Sequence, residues 1–593
     1  MAARQAAQVQ REVTGLVPIG PILAADIGSV HTRVVLFDAV DGQYRLITRA
    51  QALSTAMPPV GDVSVGLRRA LEQMTAQIGR HFVDDEGEFL IGERRNAAAN
   101  VFLATASGGQ PMRVVMVGLM DDVSLASGQR ALASTYAELV DTLSLADVRT
   151  TEEQLNAILR HDPDLIFIVG GTDGGATEPM RELLQTVRLA VLLETGRKPA
   201  VLYAGNQALV PIVREMFTGE GISLYITENV RPSLDREEYD PVQMELGLIY
   251  GHYRSAGRGG FEEVQRMSKT GVLPTAQSYG NVIRYLGELP GPGLGVMCID
   301  VGSSTVTVTA SIRKALHVTI RPDLGMGHSA VTSVGAVGAK AIQRWLSFNA
   351  TESEIMDYAW NKTLAPSTVP QTARDLEFEY AIAREVIRSA VATSRAGWGV
   401  PTRDDPEVLS GVQRIIGAGS ILAEPINPGI GALLMLDALQ PVGVTELKLD
   451  PYGAITALGS IAYVDPVATV QVLELGGLVD LCTAFSPRGR PGTGNAMEVR
   501  IKFATGRAFE TAIPAGTLRA IPLAAGQKAQ VTVRMGRGLS LEGRKRVTLN
   551  VEGSAAGLIF DGRGRPLQLP RDTERRAALL PKWYAAVQSH VGG

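Results

Sequence analysis

An apolar run that ends in an aspartate occurs twice in this chain, and the repeat constrains the fold more than any other feature. The first copy is ILAADIGSVHT, Ile22 to Thr32, and the second is GVMCIDVGSST, Gly295 to Thr305. A carboxylate at the end of a buried strand is costly unless something compensates its charge, and a bound divalent cation is one such partner. The glycine two residues on permits close backbone approach. Hydroxyls and free N–H groups in a tight turn can then cradle phosphate oxygens. Asp26, Gly28, Ser29 and Thr32 share this pattern with Asp300, Gly302, Ser303, Ser304 and Thr305. Two such hairpins facing each other would clamp a nucleotide's phosphates and its Mg²⁺, an ion that keeps waters and takes only one or two carboxylates. Either device alone reads more readily as a plain strand ending in an Asp-Gly turn; the pair is far more specific.

The surrounding pattern is α/β. Three strands separated by turns begin at Ile22, with Asp41-Gly42 as a hairpin signal. Apolar spacing predicts a helix over residues 64–78. RVVMVGL from Arg113 and DLIFIVGG from Asp164 read as buried strands joined by helices, SGQRALASTYAELVDTL (127–143) and TTEEQLNAILRH, the latter opening with a Thr150-x-x-Glu153 capping box. After the second device comes a Gly-punctuated helix, then a largely helical region through Trp398. VQRIIGAGSILA, Val412 to Ala423, reads as strand, Gly-rich turn and helix start.

Beyond about Ala468 short β-type runs separated by Gly and Pro predict a further β-rich domain. Between Arg488 and Arg546 there are 12 Lys or Arg against 3 Glu, a local +9 in a chain of net charge −4. This basic tail suits docking of an acidic surface, or simply a solvated charged face. The expected divisions are an extension over 1–21, a first lobe with an inserted α/β segment over 22–290, a second lobe over 291–468, the β-rich domain over 469–570 and a helical tail over 571–593.

Charge and composition exclude several classes. A net −4 argues against generic binding to nucleic acid or anionic membrane. Two cysteines, Cys298 and Cys482, make neither a zinc site nor a disulfide framework, so a cytoplasmic protein is expected. No secretory signal or membrane-spanning run is recognisable. The chain holds no G-x-x-x-x-G-K-[ST] P-loop and no G-x-S-x-G elbow. None of its seven histidines lies in an Asp-x-His-x-x-Gly context, so a cobalamin-ligating subunit is not expected.

The third element is GAGSIL, Gly417 to Leu422, placed downstream of the second hairpin where it suits an adenosine-binding turn. With this turn, the two hairpins resemble the phosphate-1, phosphate-2 and adenosine motifs of the actin, sugar-kinase and heat-shock-chaperone ATPase superfamily. Within it, the chain resembles the glutamate mutase L family, MutL, unrelated to the mismatch-repair protein of that name. The narrower resemblance lies in AADIGSVHTR, FIVGGTDGG (Phe167 to Gly175), LYAGN (Leu202 to Asn206), CIDVGSSTV, IIGAGSILA and LDALQPVGVTELKLDPYGAITALGSIA (Leu436 to Ala462). Val30 and His31 depart from the small hydroxyl or aromatic residues expected in the first loop.

The resemblance implies a two-lobed actin-like ATPase fold of duplicated ribonuclease-H-like domains. It also implies an ATP- and Mg²⁺-dependent reactivating partner of adenosylcobalamin-dependent mutases, compatible with a homo-oligomer. Asp300 would orient the attacking water or hold Mg²⁺ through water, with Asp26 in the opposing metal-side role. Gly170, Gly171 and Thr172 would join the nucleotide site with Gly417, Ala418, Gly419 and Ser420. Asp173 would serve as a base or cap the helix that starts near Thr177. A small-molecule kinase and an actin-like ATP-binding scaffold are the competing readings on the same fold.

Overall fold

The computed structural model describes residues 19–92, 97–108, 111–255, 259–289, 295–399 and 407–588. Most of the extension expected over 1–21 therefore lies outside the described residues.

Each Asp-ending strand is the centre of its own sheet. In the first lobe, Ile22–Ile27 pairs antiparallel with His31–Val40, which pairs antiparallel with Gln43–Leu53 through the Asp41-Gly42 turn. On its other side Ile22–Ile27 pairs parallel with Val101–Ala106, and that strand with Val272–Pro274. The second lobe repeats the scheme. Gly295–Val301 lies between antiparallel Val306–Ile312 and parallel Val412–Ala418, flanked by Ala315–Arg321 and Gly443–Leu449. In chain order both sheets read 3-2-1-4-5 over their first five strands. This is the duplicated ribonuclease-H-like, actin-like arrangement expected from the sequence. It puts the carboxyl end of each central strand, and so each aspartate, at the edge facing the other lobe.

Two helices weld the lobes at their base. Thr275–Glu288 leaves the first lobe and packs on strands Gly295–Val301 and Val306–Ile312 of the second; Ala454–Ile461 packs back on Ile22–Ile27 and Val101–Ala106. The helices touch where a Cβ on Gly459 would stand 2.0 Å from the Ser278 carbonyl oxygen. Asn281 Nδ2 donates to the Gly459 carbonyl at 3.0 Å. Apolar residues of both lobes, among them Ile22, Val101, Val296, Ile416 and Leu458, form one continuous core around this crossing.

The inserted segment is an all-parallel sheet in the order Ala137–Leu143, Met112–Val117, Leu165–Ile168, Ala200–Tyr203, Leu224–Ile226. Apolar clusters cover both faces, as parallel sheets require. Here one expectation is corrected: the helix predicted over 127–143 stops at Leu132, and Ala137–Leu143 is a strand. The free edge of Met112–Val117 offers six pairs in parallel register that outweigh a modest helical propensity. The helix Val63–Ile78 and the Thr150–Glu153 capping box form as predicted.

The β-rich region after Ala468 is present, and it is split. Val479–Ser486, Leu558–Asp561 and Leu518–Ile521 continue the second-lobe sheet, while Ala508–Pro514, Asn495–Phe503, Lys528–Met535 and Arg546–Glu552 form a sheet of their own. A buried ionic chain fastens the region. Asp437 accepts from Arg384 Nε at 2.9 Å and Arg563 Nη1 at 2.8 Å, and Asp561 from Arg563 Nη2 at 2.8 Å and Arg565 Nη2 at 2.5 Å. The two arginines hold the Asp561 carboxyl well below the ordinary range despite its burial. No helix among the described residues is long and apolar enough to cross a membrane.

Among the described residues, Asp437→Ala takes the only paired carboxylate from the buried Arg384 and one of two from Arg563, and is expected to cost about 3–5 kcal/mol, read as a fall in the urea midpoint. Gly459→Ala forces the basal helices apart at a backbone atom and is expected to cost about 1–3 kcal/mol by the same measurement.

Candidate nucleotide site between the lobes

The two hairpins close in the same way. Gly28 N–H donates to the His31 carbonyl at 2.9 Å, and Gly302 N–H to the Thr305 carbonyl at 2.8 Å. Each turn is backed by a second glycine: a Cβ on Gly108 would fall 2.4 Å from the Gly28 oxygen, and one on Gly325 2.3 Å from the Ser303 oxygen. Gly419, at φ +77°, likewise lies against the Val301 carbonyl, where a Cβ would stand 2.2 Å away. These contacts bring the two phosphate-type turns and the Gly417–Ser420 turn around one cleft of about 560 Å³.

The cleft collects most of the expected residues. Asp26, Gly28, Ser29, Asp300, Gly302, Ser303, Ser304, Thr305, Gly419 and Ser420 line it, with Val30 and His31 at its wall. Ala418 lines a small adjoining recess. Several others are elsewhere. Thr32 is fully buried with its hydroxyl beside Gly66, because strand alternation turns it to the face opposite Arg33. Gly417 packs among Met435, Leu422 and Leu449. Gly170, Gly171, Thr172 and Asp173 stand at the carboxyl end of the inserted sheet and do not line the cleft. Asp173 accepts from Gln207 N–H at 3.0 Å and Asn229 Nδ2 at 2.8 Å; the helix Glu178–Leu193 has no side-chain cap, so Asp173 is not its cap.

The two aspartates differ in how they are held. Asp26 Oδ1 accepts from Thr105 Oγ1 at 2.7 Å and Thr275 Oγ1 at 2.9 Å. Its charge thus has protein partners, which the sequence pattern did not reveal. Asp300 accepts no hydrogen bond from the described residues. Burial, and then the Asp26 and Asp450 carboxylates, push its pKa up to about 7, with Arg33 opposing them. The same crowding and burial hold the Tyr279 hydroxyl well above its usual value.

Three functional candidates escaped the sequence reading. Asp450 ends strand Gly443–Leu449 and accepts from Ala454 and Ile455 N–H at 2.8 and 2.9 Å, the first turn of the basal helix; burial raises its pKa. The signal was there, since LKLDPYG repeats the rule of an apolar strand closed by aspartate. Arg33 sits across the hairpin from Asp26 and lines the cleft without an ion pair to any described residue. Elsewhere in the cleft wall, Lys362 pairs with Glu379 at 3.1 Å, both nearly buried.

The carboxylates do not form a closed cage. No group of three His, Cys, Asp or Glu side chains among the described residues could hold a metal ion alone. One or two carboxylates with unsatisfied lone pairs suit Mg²⁺ that arrives with phosphates and keeps its waters.

A profile of the family described as "MutL protein" matches residues 22–475. The chain belongs to the MutL protein family. A curated MutL relative, Protein MutL of Clostridium tetanomorphum, is 25% identical over 485 residues, covering 76% of this chain and 98% of that protein. Among solved structures, diol dehydratase-reactivating factor in nucleotide-free form is similar at 11% identity and TM-score 0.30, covering 75% of this chain and 99% of that one. The Aquifex aeolicus PPX-GPPA enzyme is similar at 9% identity and TM-score 0.19, covering 77% and 83%. The MutL match takes in both hairpins, the inserted sheet and Asp450, and ends before the β-rich strands.

A raised carboxyl pKa in the folded state means that the nucleotide-free protein loses stability as pH rises toward that value. Asp300→Asn, always neutral, is therefore expected to be more stable than the parent without nucleotide. The gap should widen from about pH 4 to about pH 7 and level off above it. Thermal midpoints across that range check this.

Proposed function

We propose that the chain binds Mg²⁺·ATP between its lobes, hydrolyses it slowly, and uses the resulting lobe movement to remodel an adenosylcobalamin-dependent mutase of the glutamate mutase type. The observation that carries the nucleotide reading is the facing pair of Asp-x-Gly hairpins on one cleft, with Asp300 free of hydrogen-bond partners among the described residues. Membership of the MutL family supports the choice of partner, through the resemblance drawn from its motifs.

The residues divide the work by position. The hairpin turns present N–H groups and the hydroxyls of Ser29 and Ser304 to phosphate oxygens. The Ser303 hydroxyl is already committed, accepting from His328 N–H at 3.0 Å. Asp26, fixed by two threonines, offers a preset acceptor on the first-lobe side. Asp300 is placed to orient an attacking water or to hold Mg²⁺ through water. Mg²⁺ with the nucleotide would supply the charge neutralisation that phosphoryl transfer needs. Ala418 to Ser420 form the wall on which an adenosine would rest. A kinase reading depended on Asp173 as the base beside an acceptor, and that residue is outside the cleft lining.

The test is ADP release from Mg²⁺·ATP by the purified protein with no acceptor added. Asp300→Ala is expected to lower the rate by roughly 10²-fold or more. Asp173→Ala is expected to leave it within about twofold, as a substitution distant from the chemistry should. No turnover by the parent despite ATP binding would remove the hydrolytic part of the proposal. ATP-dependent release of inactive cobalamin from a damaged mutase, lost in Asp300→Ala, tests the partner.

A further inference from the structure

A second cavity, of about 740 Å³, opens where the C-terminal helix Thr573–Gln588 meets the short helix Ala339–Gln343, and it shares no residue with the cleft. Its wall carries Lys340, Arg344, Arg571 and Arg576 against a single carboxylate, Glu407. Four cations converging in a concavity repel one another, and the field they make attracts anions. Their local partners account for only part of this charge. Arg344 is engaged by Glu385, with Nε at 2.9 Å and Nη2 at 2.6 Å. Arg576, more than nine-tenths buried, spends its terminal nitrogens on the Pro570 and Arg571 carbonyls and the Thr573 hydroxyl, and its Nε has no partner. The nearby Asp572 carboxylate is used to cap Arg575 N–H at 2.8 Å. Lys340 and Arg571 make no ion pair or side-chain hydrogen bond with any described residue. Trp345 and Phe348 lie behind the wall, Trp345 buried under Arg384 and Arg344 and Phe348 under Arg374.

We infer that this cavity is a binding site for a small molecule bearing two or three phosphates. Guanidinium groups match phosphate oxygens bidentately, and a lysine adds a point charge. The site is independent of hydrolysis in the cleft, although one element reaches both. Helix Ala373–Arg395 lines the cleft with Glu379 and Tyr380 and holds Arg344 of the cavity through Glu385.

Inorganic tripolyphosphate is the probe, titrated calorimetrically into the full chain at about 0.15 M salt, where weak surface attraction is screened. The parent is expected to show a saturable site that Lys340→Gln with Arg571→Gln weakens by about tenfold or more and that Asp300→Ala leaves unchanged. Both substituted residues are exposed and unpaired, so urea midpoints should match the parent; if the double variant falls short, Lys340→Gln alone is read. Absence of saturable binding in the parent overturns the inference. So does equal binding by the Lys340 and Arg571 variants, or binding altered only by Asp300→Ala, which would put the probe in the cleft.

Discussion

Bringing three carboxylates from the ends of three strands, one in the first lobe and two in the second, to one cleft is the constraint to which the rest of both lobes answers. Asp26, Asp300 and Asp450 are close enough for the first and third to raise the pKa of the second, and a fold that kept them together without compensation would be strained by its own charge. The structure relieves two of the three. Asp26 receives two threonine hydroxyls, and Asp450 receives the first N–H groups of a helix, where partial positive charge favours an anion. Asp300 receives neither. The unrelieved charge is thus localised on the side chain best placed to meet a metal-nucleotide complex, so the energetic weak point and the candidate chemical group coincide.

The glycines around the cleft have a common logic. Gly108, Gly325 and Gly419 each lie against a backbone oxygen of a phosphate-type hairpin at a distance that no Cβ could share. The turns are braced by backbone rather than by side chains, which keeps their N–H groups directed while leaving the cleft side open. Far from the cleft, the Arg384, Asp437, Arg563, Asp561 and Arg565 chain performs the analogous service for the C-terminal region. Such a network adds less net stability than its contacts suggest, because each ion had to leave water, but it penalises any other docking of the β-rich strands.

The sequence revealed the parts of the site whose signal is local. A strand that ends in Asp-x-Gly-Ser is readable from adjacent residues, and its repetition disclosed the duplicated lobes. What was hidden is tertiary. Thr105 and Thr275 come to Asp26 from strand and helix 79 and 249 residues away, and no spacing rule points to them. Thr32 was misplaced because the alternation of its strand sends it to the opposite face from Arg33, the residue that does enter the cleft. GGTDGG looked like phosphate-binding material, yet its glycines serve a loop at the end of the inserted sheet, and Asp173 is spent tying that loop to Asn229 and Gln207. The stretch 137–143 became a strand through the edge of the preceding strand, Met112–Val117, which its own helical spacing does not reveal.

The hydroxyl of Thr275 belongs to the first residue of a helix whose body lies on the opposite lobe. Thr275 also directly follows Pro274, the end of a strand in the same sheet as Asp26, so its bond to Asp26 fixes the carboxylate at the residue where the chain leaves the first lobe. Under the lobe movement proposed above, a tilt of the helix about that residue would reach the Asp26 carboxylate through a single hydroxyl.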